Sequence, residues 1–173
     1  MILSRMMWKD WGFEPAIHQQ AKRFAELAHN DEEQEAHIRA SIIFSLLCVE
    51  AHYNAIVRSY MQDHRSTIPA AKLKKVESSL RARSGITNAL ETWPALLTGT
   101  SLDRKSATYT TYTQFREYRN ALIHADITRP LRTAGELAQE METVENADLA
   151  FETTAEMIRM ISLHFGYDVP AWV

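Results

Sequence analysis

The chain has 173 residues, 46% apolar and 24% charged, with a formal net charge of −3. That length is enough for one domain with its own core. The weakly acidic balance excludes a protein that holds nucleic acid by bulk positive charge, and the single cysteine, Cys48, excludes an internal disulfide and fits a reducing, cytoplasmic setting.

Residues 1–14 carry early charges and no long apolar run, so they read as a loop-like extension rather than a signal peptide. Pro15 suits the first turn of a helix on which Ile17, Ala21, Phe24 and Ala28 recur at helical spacing. Asn30 and Asp31 are expected to end that helix and cap the next, with Glu32 and Glu33 in its first turn. The second helix is the clearest: Ile38, Ile42, Leu46, Val49, Tyr53, Ile56 and Tyr60 step by three and four residues in one apolar seam that fades by Asp63. Its apolar run, SIIFSLLCVEAHYNAIV, is broken by Glu50, His52 and Asn54 and reads as too short to span a bilayer, so no membrane partner is expected.

Pro69 opens a short basic helix, AAKLKKVESSL, whose Lys72, Lys74 and Lys75 read as a solvated face. After Ser84 and Gly85, ITNALETW forms a helix that Pro94 is expected to stop, and LLTGTSLDRKS reads as a loop. A helix resumes near Tyr109 and runs to about His124, ahead of Arg129-Pro130. The last third reads as one long helix, straight or kinked, from about Gly135 to Phe165. Leu137, Met141, Val144, Ala147, Phe151, Thr154, Ile158 and Ile161 follow its inner face, and Gly166 is its C-cap. No strand pattern competes. The expected fold is all-α: a single domain over 1–173, an up-and-down bundle of four to five main helices.

Two features of this pattern bear on function. Beside the main seam of the second helix runs a second stripe: Ile43, Leu47, Glu50, Asn54, Val57 and Met61. A buried, unpaired carboxylate at Glu50 would cost on the order of several kcal/mol, so an arginine from another helix is the natural partner, and Arg119 is a candidate. The competing reading leaves Glu50 facing solvent or a subunit interface. The second feature is REYRNALIHAD, residues 116–126, in which Arg119 and His124 have the spacing R-x-x-x-x-H. That spacing is cheap and recurs at Arg159 and His164, which read as structural. What sets the first copy apart is Asn120 directly after the arginine, four residues before His124, with Arg116 continuing the same helix face backward.

On these residues the block LLTGTSLDRKSATYTTYTQFREYRNALIHAD resembles the second half of a HEPN domain, a family in which a loop leads into a helix carrying R-N-x-x-x-H. The SIIFSLLCVEAHYNAIV helix is similar to the family's earlier long helix, which carries a polar residue facing the motif. The likeness covers about residues 35–165 in order and character, and the Arg-Asn-His core is its specific part. It implies an all-helical homodimer without a cofactor, acting as a metal-independent endoribonuclease of the toxin or defence kind, with an RNA substrate and an antitoxin partner. It also implies roles: Arg119, His124 and Asn120 in catalysis, Glu50 and Asn54 as a supporting network, and Arg116 as an RNA contact. One subgroup, paired with a nucleotidyltransferase antitoxin, has a Tyr two residues after the His; Asp126 stands there in this chain.

Three other readings compete. The first is an inactive HEPN-like dimer that binds RNA, a nucleotide or a protein. The second is a di-iron bundle using Glu26-x-x-His29, which has no second copy in the sequence; a surface pair is the ordinary reading of those two residues. The third is a plain helical dimer in which Arg119 and His124 cap helix ends. Tyr109, Tyr112 and Tyr118 read as packing rather than as base-stacking platforms.

Overall fold

A computed structural model describes residues 14–30, 33–81, 86–123 and 140–173. Among them six helices follow one another without a strand: α1 (Glu14–Ala28), α2 (Gln34–Asp63), α3 (Ala70–Arg81), α4 (Ile86–Thr98), α5 (Ala107–Ile123) and α6 (Val144–His164). The expectations placed on the segment before Glu14, on Asp31 and Glu32, and on Gly135 and Leu137 lie outside the described residues.

The bundle is built around α2, whose seam residues from Ile38 to Ile56 are buried, with Tyr60 at the edge. Side-chain bonds fix how the other helices run against it. Ser41 and Cys48 of α2 donate to the carbonyls of Ala21 and Glu14 of α1, so those two helices are antiparallel. Ser41 also reaches the carbonyl of Ala147, and His52 bonds Ser162, so α6 runs parallel to α2. Tyr118 and Ser106 of the α5 region meet Glu142 and Met160, which sets α5 antiparallel to α6. The arrangement α1, α2, α5, α6 is an up-and-down bundle, with α3 and α4 as a shorter excursion. Tyr53 holds α4 by stacking on Trp93, ring centroids 5.9 Å apart, and by donating to the carbonyl of Ala89 at 2.9 Å.

On α1 the buried face is Glu14, His18, Ala21, Ala25 and Ala28, with Ile17 and Phe24 at its border rather than at its centre. Small side chains facing α2 let the backbones approach, which is why hydroxyl and thiol groups of α2 can reach α1 carbonyls. Burial pushes the Cys48 thiol up to about 12, so it stays a protonated packing group.

Four local expectations need correction. The position before α2 is Glu33, which makes no side-chain cap; Asn30 instead bonds back to the carbonyl of Glu26, and Gln34 reaches the carbonyl of Ala28 at 2.9 Å. Pro94 does not stop α4, which continues to Thr98. A proline inside a helix costs about 3 kcal/mol, but Leu90, Trp93 and Leu97 are buried on both sides of it, and each such side chain contributes about 1.5–3 kcal/mol. The last helix is not continuous from Gly135: it starts at Val144, where the Thr143 hydroxyl caps it by accepting from the amide of Asn146 at 3.2 Å. Finally, α2 is 30 residues long and, by length and composition, apolar enough to cross a membrane. Most of that apolar window is instead buried against the other helices.

At the C-terminal end of α6, Gly166 takes the left-handed conformation, φ +76°, and the amide of Tyr167 returns to the carbonyl of Ser162 at 2.9 Å. His164 there is half-buried. Burial lowers its pKa, and its ring bonds the Thr98 hydroxyl at 3.1 Å.

Burial likewise lowers His18 and takes His52 down to about 4. The consequence for stability has a definite sign. A base whose folded value is depressed binds fewer protons than the unfolded chain between the two values, so stability declines as pH falls from about 6.5 toward 4. Urea midpoints measured between pH 7 and pH 4.5 should fall, with His52 alone accounting for on the order of 2 kcal/mol. His52→Gln should show a shallower decline; an unchanged slope would remove His52 as the cause.

Candidate functional site

The site grows from helix α5. Ser106 starts the helix: its hydroxyl accepts from the amide of Tyr109 at 3.2 Å, and its carbonyl from Thr110. Tyr109, Tyr112, Phe115 and Tyr118 then bury the helix against the core. This packing, as expected, makes the tyrosines structural. It also fixes the rotation of the last two turns, where Arg116, Arg119 and Asn120 lie.

Arg119 faces α2. Its Nη1 donates to Glu50 Oε1, with the two side chains 13% and 23% exposed. Glu50 therefore sits at the rim, neither free in solvent nor alone in the core. Nε and Nη2 of Arg119 both point to Asn120 Oδ1, at 3.4 and 3.2 Å. A guanidinium has five N–H groups. Three are engaged here, by a carboxylate from one helix and an amide from its own. The remaining two have no acceptor among the described residues, and the guanidinium fork is of the kind that takes phosphate oxygens. Asn54, one turn beyond Glu50, is half-buried but joins neither Arg119 nor Glu50 by a hydrogen bond, so the network is Glu50–Arg119–Asn120. His124 lies outside the described residues.

Arg116 is not on the open face with Asn120. It is 7% exposed, and its Nη1 is buried, as are the hydroxyls of Tyr112 and Tyr109 one and two turns earlier. Tyr112 lies in the field of Glu50, Arg116, Arg119 and Tyr109 together, so these groups form one electrostatic neighbourhood. Burial pushes the Tyr112 and Tyr109 hydroxyls up, and nearby Arg116 pulls Tyr109 partly back.

A second network, one without a cue in the apolar pattern, anchors the same helix. Arg39 of α2 forks onto Glu142, Nε to Oε1 at 2.7 Å and Nη2 to Oε2 at 2.6 Å, and the Tyr118 hydroxyl donates to Oε1 at 2.6 Å. The Arg39 fork holds the Glu142 carboxyl below the usual range, with the Tyr118 hydrogen bond adding to it. Tyr118 is the immediate neighbour of Arg119, so this cluster ties the site helix to α2 and to the residue ahead of α6. One signal in the sequence could have found it: the Thr143-x-x-Asn146 start of a helix, which frees Glu142 from a helical role.

The decoys resolve as separate structural pairs. Arg159 bonds Glu156 one turn back, while His164 bonds Thr98. His29 bonds Asp148 at 3.0 Å and Glu26 pairs with Lys22 at 3.9 Å, so Glu26 and His29 do not pair with each other. Among the described residues no group of three or more His, Cys, Asp or Glu is placed to hold a metal ion. The chain matches no protein-family model, no curated protein and no solved structure.

Proposed function

We propose that the protein is a metal-independent endoribonuclease of the HEPN type, working as a toxin or defence protein. The observation that carries this reading is Arg119: a guanidinium held by Glu50 from one helix and Asn120 from its own, 13% exposed at the rim of a helical bundle. In the reaction the 2′-hydroxyl of the RNA loses its proton to a base and attacks phosphorus. The P–O5′ bond breaks, and the 5′-oxygen takes a proton from an acid, leaving a cyclic phosphate and a free 5′-hydroxyl. Arg119 would bind the non-bridging oxygens, where charge builds up in the transition state. His124, which titrates near neutral pH in its ordinary state, is the base or acid. The substrate is looped or single-stranded RNA, because a regular duplex resists the in-line geometry.

A two-fold homodimer would bring a second motif, and a second His124, to the same groove. Leu47, 40% exposed, and the half-buried Ile43 lie on the same stripe of α2 as Glu50 and would fall within such an interface. A protein antitoxin is the further partner this reading carries. The second reading, a dimer that binds RNA without cleaving it, draws on the same fork on Arg119.

The test is cleavage of a mixed RNA pool in excess chelator, with protomer number measured alongside. Wild type is expected to cleave and His124→Ala to lose at least about a hundredfold, the usual contribution of an acid or base. Salt-sensitive RNA binding with no cleavage by wild type would favour the binding module instead.

A further inference from the structure

The outer face of α2 changes character at the level of the site. Ala40, Ile43, Leu47 and Ala51 make its N-terminal part apolar, and Asn54 and Arg58, one and two turns beyond Glu50, make the next part polar. From Ala51 to Gln62 the sequence holds no carboxylate. The two that bound this run are engaged: Glu50 by Arg119, and Asp63 by the Tyr167 hydroxyl, which donates at 2.8 Å.

Arg58 stands apart from most of the arginines. Arg39, Arg65, Arg104, Arg119 and Arg159 each pair with a carboxylate. Arg58 is exposed and makes no ion pair among the described residues. Asn54 lies between it and Glu50, half-buried, and its side-chain amide has no hydrogen bond among the described residues. Eight residues of helix place Arg58 about 12 Å along the axis from Glu50, with Asn54 midway. An accessible guanidinium and an amide held by partial burial are groups that meet the phosphate and sugar of a nucleic acid. Helix α5 offers no comparable path, because Glu117, exposed one turn before Asn120, would repel a phosphate strand.

We propose that Asn54 and Arg58 continue the Arg119 site as a track for single-stranded RNA along α2. Arg58 takes a phosphate, and Asn54 contacts the ribose or base edge between that phosphate and the one at Arg119. The choice of RNA as the occupant rests on the nuclease reading of Arg119. Arg58 holds the strand and takes no part in the chemistry.

The experiment titrates a single-stranded RNA oligonucleotide of mixed sequence into the full chain carrying His124→Ala, so that the strand stays intact, in excess chelator and at several salt concentrations. Adding Arg58→Ala should weaken binding about tenfold at low salt, as for one charge-assisted hydrogen bond, and should flatten the salt dependence by about 0.7, one single-strand contact. Asn54→Ala should weaken binding several-fold and leave the salt slope unchanged, because it removes a neutral donor. Arg23→Ala is the control: Arg23 is also exposed and makes no ion pair among the described residues, but it lies on α1 near the level of Ser41, about 25 Å along the bundle from Arg58. An equal loss of slope for Arg23→Ala and Arg58→Ala would reduce the effect to net charge and overturn the track, as would RNA affinity that Arg58→Ala leaves unchanged.

Cleavage kinetics separate this failure from a failure of the nuclease reading. With His124 intact, Arg58→Ala should raise KM and leave kcat nearly unchanged, the signature of binding shared by ground and transition states. Cleavage that Arg119→Ala abolishes while Arg58→Ala leaves KM at the wild-type value would keep the nuclease and remove the track. Binding that depends on Arg58 in a protein that does not cleave would keep the track and remove the nuclease.

Discussion

Arg119→Ala is expected to reduce chelator-resistant RNA cleavage by about 10²–10³-fold, the usual effect of removing one preorganised donor from a developing oxyanion. It removes the group that joins the two halves of the site, Glu50 on α2 and Asn120 on α5, and that would meet the phosphate in the proposed reaction. Arg119→Lys should fall nearly as far. An ammonium can meet Glu50 or a phosphate as a point charge but cannot hold Glu50, Asn120 and a phosphate fork together. Glu50→Gln keeps an acceptor oxygen and loses its charge, so it should lower kcat with little change in RNA affinity, the mark of a positioning residue. The check is single-turnover cleavage on folded proteins. Arg119→Ala cleaving at the wild-type rate would end the nuclease assignment for this helix.

The largest stability effect at a polar position is expected from Arg39→Met. Glu142 is 7% exposed, and without Arg39 its carboxylate keeps only the Tyr118 hydroxyl. The expected cost is about 2–3 kcal/mol, below the figure for a fully buried pair because Arg39 is 43% exposed and partly screened. Removing the other partner should cost less: after Glu142→Gln, Arg39 can turn to solvent. The double substitution Arg39→Met/Glu142→Leu should recover part of the loss. Acidification probes the same pair. A carboxyl held below its ordinary value stabilises the fold above about pH 5, and that contribution is lost as pH falls through its folded value. This window lies below that of the histidines, so acid titrations of wild type and Glu142→Gln should diverge above it and converge beneath. Denaturant midpoints at pH 7 and pH 3.5 would check it, and equal costs for the two single substitutions would contradict the asymmetry.

The helical class was legible because α2 repeats its apolar residues at three and four through seven positions, a period no strand can use. The meeting of Glu50 with Arg119 was legible for a related reason: a carboxylate within an apolar stripe must find a cation, and few arginines lie at a helix end able to reach it. Arg39 and Glu142 gave no such cue. They lie 103 residues apart, and Glu142 falls in a stretch where apolar residues keep a helical spacing across the break before Val144. Pro94 misled because its local cost is visible in sequence while the burial of Leu90, Trp93 and Leu97 that outweighs it is tertiary. Arg116 was placed on the open face by its spacing from Asn120, whereas the turns of α5 above it face inward with their tyrosines.

The parallel pairing of α2 with α6 has a consequence for how the chain is made. Ser41 meets Ala147 and His52 meets Ser162 across 106 and 110 residues, while α1 lies on α2 from the moment both exist. On a ribosome, the α1–α2 hairpin can therefore form early, and the opposite flank of α2 must wait until α6 has emerged. During that interval a helix long and apolar enough to enter a bilayer stands half-covered. Synthesis, rather than the finished fold, is thus the stage at which the apolar flank of α2 lies uncovered.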